Sequence, residues 1–86
     1  MDREEMMAIL EEHEALTADG HDNAIVGVGS YFGEKGPLVL AIYDREKVVQ
    51  NLMQDMDREA AEEFFEFNIA GAGMGKKTPV FVDFAQ

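Results

Sequence analysis

The chain has no cysteine and no tryptophan, a single serine, two prolines, and 7 basic residues against 18 acidic ones. Each shortage excludes something. Without cysteine there is no disulfide framework, no thiolate zinc site and no thiol nucleophile. Ser30 is the only serine, and no nucleophile elbow surrounds it. No apolar run approaches the ~20 residues that span a bilayer. The opening Asp2-Arg3-Glu4-Glu5 is unlike a signal peptide, so a soluble, intracellular domain is expected. The scarcity of bases means that the field of the protein repels phosphates, which argues against direct nucleic-acid binding.

What remains is a chain of 86 residues, 47% apolar, with a net charge of -11. That apolar content is too high for a disordered acidic tail. The length holds one small domain, residues 1–86, near the lower limit for a self-sufficient core. The charge is uneven. Residues 1–23 hold eight acids and one base, and residues 44–66 hold eight acids and three bases. Residues 24–43 balance, and residues 67–86 carry a net +1. The two acidic segments are also the two with helical periodicity, so the charge belongs to helical surfaces.

The tripeptide Asp-Arg-Glu occurs at Asp2, Asp44 and Asp57. An Asp side chain caps the orphan N–H groups of a first helical turn. A Glu two positions later complements the positive end of the dipole. Three helices are therefore expected, over about 3–17, 44–54 and 57–70. The first carries the stripe Met6, Ile9, Leu10, His13 and Leu16. The second carries Val48, Val49, Leu52, Met53 and Met56, and the third Ala61, Phe64, Phe65, Asn68 and Ile69. Residues 23–32 alternate as a strand whose second face is stripped by Gly27 and Gly29, a pattern that suits close approach of a helix or another backbone. A turn at 33–37 leads to a strand over Leu38–Tyr43, completing a hairpin. A last strand is expected over Thr78–Phe84, with Pro79 at its entry. The expected class is α+β, in the order α-β-β-α-α-β: an antiparallel three-stranded sheet with helices packed on one face. Phe64, Phe65, Phe67, Phe81 and Phe84 are expected to fill much of its core.

The stretch Glu62-Glu63-Phe64-Phe65-Glu66-Phe67-Asn68-Ile69-Ala70-Gly71-Ala72, followed by Gly75 and Thr78-Pro79-Val80-Phe81-Val82, resembles a family of small proteins of tailed bacteriophages and their bacterial hosts. The segment 24–29 and the pair Tyr43-Asp44 share the likeness, which covers roughly residues 22–83. It implies a phage or prophage origin and a host cytoplasmic setting, and no particular activity. Lys76-Lys77 stands where members often carry an acidic residue.

The glycine loop at 71–78 is not a phosphate loop. It follows a helix, and Lys77 occupies the Ser/Thr position. Exposed N–H groups beside Lys76 and Lys77 could still take an anion. A small-ligand site would comprise Tyr43, Asn68, Gly71, Gly73, Gly75, Lys76 and Thr78. Against it stands the reading of the loop as a helix C-cap and connection. Asn68 falls on the apolar stripe, so it is expected to be a buried amide that ties a neighbouring loop in place. His13 is expected to pack. His21 and Asp22 lack paired ligand spacing, so neither a metal nor a cofactor is expected. The carboxylates at 59, 62, 63 and 66 read as a solvated helix face, not as catalytic pairs.

These features point to a binding protein, not an enzyme. The favoured reading is a phage-derived protein that engages or inhibits a basic host protein, a nucleic-acid-binding or defence factor. Glu11, Glu12, Glu14, Glu59, Glu62, Glu63 and Glu66 supply the charge, with Met7 or Met56 as apolar anchors. The alternatives are an anion or nucleotide binder at residues 71–78 and a purely structural phage protein. The length also leaves room for a homodimer that covers the glycine face or a sheet edge.

Overall fold

The computed structural model of the chain describes residues 1–70 and 78–85. Each Asp-Arg-Glu sequence starts a helix. The Asp2 carboxylate accepts the Glu5 N–H at 2.8 Å and opens α1, Arg3–Glu12. Asp44 accepts the N–H groups of Glu46 and Lys47 at 3.1 and 3.4 Å and opens α2, Arg45–Leu52. Asp57 accepts the Ala60 N–H at 2.9 Å and opens α3, Arg58–Phe64.

The first helix is shorter than its sequence pattern. It ends at Glu12, because Glu14 takes a left-handed conformation with φ +54°. The Ala15 N–H then reaches back to the Leu10 carbonyl at 2.9 Å, and the Glu14 N–H to that of Glu11 at 3.1 Å. These two bonds make a Schellman ending. The chain leaves the helix axis there, so His13 is exposed instead of packed and Leu16 is 38% exposed.

Two nine-residue strands form the antiparallel hairpin, β1 at Ile25–Gly33 and β2 at Gly36–Asp44. Glu34-Lys35 fills the turn, and Gly36 supplies its φ of +112°. A short third strand, β3 at Val80–Val82, lies on the other side of β2. It runs parallel to β2, pairing Ile42 with Val80 and Asp44 with Val82. The expected all-antiparallel sheet is therefore mixed. The link from β2 to its neighbour β3 passes through α2 and α3, and two adjacent strands joined by a helical crossover run parallel.

All three helices pack on one face of this sheet, as the sequence pattern predicts. Met6 and Leu10 of α1, Val48 and Val49 of α2, and Ala61 of α3 are buried with Ile25, Ala41 and Tyr43. The register of β1 slips between Ile25 and Gly27. This bulge lets both Ile25 and Val28 reach the core and turns Val26 outward.

Past Phe64 the third helix widens into a π-type turn over Phe65–Ile69. A wider turn brings Ala61, Phe65 and Ile69 inward and swings the residues between them out. Asn68 is exposed, not the buried amide its place on a regular helix predicts. Phe64 and Phe67 are 41% and 73% exposed, and Phe84 also faces solvent. Of the five phenylalanines expected inside, only Phe65 and Phe81 pack on the core. Phe81 stands between Tyr43, with ring centroids 5.2 Å apart, and Phe65, edge-on at 4.9 Å. The Arg45 guanidinium covers the other side of Phe65, 5.0 Å from its centre.

Candidate functional site

The helix layer carries the acids in the places the sequence assigns them. Glu11, Glu12 and Glu14 are exposed at the end of α1, and Glu59, Glu63 and Glu66 are exposed on α3 and its extension. Glu11, Glu12, Glu59, Glu63 and Glu66 form no ion pair among the described residues. Met7 and Met56 are half-buried against the core, so each offers only an outer edge. Met53, expected to point inward, is mostly a surface residue.

Glu62 differs from the other acids because Arg58 engages it, 3.5 Å away. The same guanidinium makes a two-pronged pair with Glu46, at 3.0 and 2.7 Å, and so links α2 to α3. Gln50 adds a bond to Glu46 at 3.3 Å. Hydrogen bonding from Arg58, aided by Gln50 and the charge of Arg45, holds the Glu46 carboxyl down at about 2. Arg58 thus engages two carboxylates of this corner, and the remaining ones are open to a partner.

A polar cleft of about 510 Å³ lies between the turn at 20–23 and the end of α2. Asn23 and Asn51 exchange amide hydrogen bonds across it at 2.8 and 3.2 Å. The Asn51 amide nitrogen also lies 3.2 Å from Nδ1 of His21. An amide nitrogen donates, so this ring nitrogen accepts and carries no proton. Burial lowers the pKa of His21 below its usual 6.5, and the charge of Asp22 opposes that shift. Arg3 ties the same turn to α1, donating to the carbonyls of Asp22 and of Ile25, the latter at 3.2 Å. The residue pattern gives no warning of this network, because its members are loop and helix-end residues 30 positions apart. Among the described residues no three His, Asp or Glu side chains converge to hold a metal ion.

Of the residues proposed for a small-ligand site, Tyr43, Asn68 and Thr78 are described. Tyr43 is fully buried, and its hydroxyl accepts the Ala18 N–H at 2.7 Å. That bond ties the segment after α1 to the sheet. Burial raises the pKa of Tyr43, so the phenol stays neutral. Asn68 is on the outside of the π-type turn. Gly71, Gly73, Gly75 and Lys76 lie outside the described residues. Thr78 is half-buried ahead of β3.

The sheet has a second face. Ala41 and Tyr43 point to the helices, so Leu38, Leu40 and Ile42 point away. Gly27, Gly29 and Tyr31 accompany them on β1, and Val80 and Val82 on β3. None of these residues packs against the core, and Tyr31 is 59% exposed. The signal for this face was present in the sequence. The run from Leu38 to Ile42 is apolar at every position, while helices were expected on one side only.

No protein-family model, curated protein or solved structure matches the chain. Among the described residues no helix is long and apolar enough to cross a membrane.

Proposed function

We propose that the chain is a small acidic binding protein of a phage or prophage. It engages a basic host protein, a nucleic-acid-binding or defence factor in the bacterial cytoplasm, through the exposed faces of α1 and α3. One observation carries this reading. Glu11, Glu12, Glu59, Glu63 and Glu66 stand in solvent with no ion pair among the described residues, while Arg58 engages the neighbouring Glu46 and Glu62. Such carboxylates have no competing cation among the described residues, and their summed field speeds the encounter with a basic surface. The phage setting is supported by the resemblance alone.

The test compares the wild-type chain with a variant in which these five glutamates become glutamine. Both serve as bait in a bacterial lysate, washed at about 50 and then about 500 mM salt, where screening shortens to a few ångströms. A basic protein held by the wild type at low salt, released at high salt and missed by the variant supports the proposal. Equal capture by both baits refutes it.

A further inference from the structure

We infer that the face of the sheet that no described helix covers is the contact surface for a second copy of this chain. The two sheets stack face to face, with both helix layers outside.

Four observations lead there. The first is chemical. Leu38, Leu40 and Ile42 of β2, Tyr31 of β1 and Val80 of β3 form an apolar surface that no helix covers among the described residues. Patches of this kind often serve as contact sites.

The second is topographic. A Cβ built on Gly27 meets nothing within 4 Å, and the residue has an ordinary negative φ. Nothing within the described chain requires glycine at this position, where a β-branched residue suits a strand better. At Gly29 the Ile42 side chain lies across the backbone, 2.9 Å from where a Cβ would sit. The face thus has an open position at Gly27 beside an aliphatic ridge that itself covers Gly29. A two-fold axis between β1 and β2 sets each ridge over the other copy's β1, where Gly27 leaves room for it, a self-complementary arrangement.

The third is electrostatic. The strands of the hairpin are uncharged from Ile25 to Gly33 and from Gly36 to Tyr43, whereas the helices carry the acid. Stacking places the two acidic layers about 30 Å apart, taking about 10 Å for each packed layer. At a screening length of about 8 Å, their repulsion is small. Pairing through the β1 edge is the other way to join two copies. It is disfavoured because α1 packs across β1 and β2. Edge pairing sets two helices bearing Glu4, Glu5, Glu11 and Glu12 side by side.

The fourth is size. Two strands of nine residues and one of three cover a footprint of roughly 400 Å², about half of what a standard interface takes from each partner. The dimer is therefore of the small, weak class.

Sedimentation equilibrium from about 5 to about 500 μM tests this. The wild type shifts from monomer to dimer across that range. Gly27→Thr, whose added Cβ meets nothing within 4 Å in the single chain, stays monomeric with unchanged circular dichroism. Leu40→Gln does the same, and carries the test if the first variant does not fold. A wild type that is monomeric throughout overturns the inference. So does a dimer that both variants retain. Amide exchange at high concentration gives an independent check. Stacking leaves the outward amides of β1 fast, and their protection would mean edge pairing instead.

Discussion

Adjacent residues of β2 do opposite work. Ala41 and Tyr43 are fully buried beneath the helices, while Leu40 and Ile42, beside them in the chain, belong to the face no described helix covers. The helix side gathers Met6, Leu10, Val48, Val49, Ala61 and Phe65 into one cluster and satisfies its one buried hydroxyl with the Ala18 N–H. The other side has glycines, aliphatic side chains and no polar tie. The difference teaches that apolar character alone does not locate a core. What makes one face a core here is the helices that two acidic, well-capped segments bring to it. The same segments keep charge away from the opposite face.

The strongest way to break this comparison is to truncate one side chain on each face. Phe65→Ala removes the ring that meets Phe81 edge-on and Arg45 from above. It is expected to cost about 3–5 kcal/mol, a large part of the stability of so small a domain. Leu40→Ala, measured in dilute solution, is expected to cost about 1–2 kcal/mol, since Leu40 is half-buried and packs on no core residue. Urea titrations of both variants give the two numbers. Equal losses would mean that the two faces do not differ.

A subtler change tests the polar tie of the covered face. Tyr43→Phe keeps the ring and its contact with Phe81 but leaves the Ala18 N–H without its partner at 2.7 Å. An orphaned buried donor costs about 1–3 kcal/mol. The loss should appear with faster amide exchange at Ala18 and along the segment that follows α1. An unchanged midpoint would mean that water replaces the hydroxyl.

Much of this layout could be read from the residues, and the failures share a physical origin. The three Asp-Arg-Glu starts were legible because capping is local: one carboxylate, two or three residues from its donor. The hairpin was legible because alternation and turn glycines are local too. The end of α1 was not, because a glutamate at φ +54° does a job normally done by glycine. The inward set of the third helix was legible only in part: Ala61, Phe65 and Ile69 pack as their spacing predicts, but a π-type turn changes the period within five residues and leaves Phe64, Phe67 and Asn68 outside. The direction of β3 depended on its partner strand, which no local pattern specifies. For the site, the exposed acids were legible from periodicity. The amide pair of Asn23 and Asn51 and the ring of His21 were not, since only folding brings them together.

The end of α1 offers a gain instead of a loss. Left-handed backbone costs a residue with a Cβ about 1–2 kcal/mol, and glycine adopts it freely. Glu14→Gly should therefore stabilise the domain by about 1 kcal/mol and raise the urea midpoint. The double variant with Leu40→Ala should show simple addition, because the two sites belong to different faces and share no described contact. Destabilisation by Glu14→Gly would mean that the glutamate side chain contributes more than its backbone costs.

The smallest effect is a pH dependence that belongs to the helix side alone. Burial lowers the pKa of His21 in the folded chain, with Asp22 opposing, and Asn23, Asn51 and Asp55 share the cleft. The unfolded chain then binds the proton more readily, so stability falls as the pH drops from above 6.5 through the lower folded value. Protonation also ends the ability of Nδ1 to accept from Asn51. Glu46 follows the same sign in a separate window. Its folded value of about 2 lies below the ordinary 4.5, so its contribution is complete above 4.5 and is lost between there and about 2. Replacing His21 with glutamine, which never ionises, should flatten the stability profile just below pH 6.5 and leave the acid limb intact. Replacing Arg58 with glutamine should do the reverse, weakening the acid limb because the Glu46 carboxyl then regains its ordinary proton affinity. If both variants change the same limb, the two titrations are coupled, and the cleft and the α2–α3 pair act as one unit.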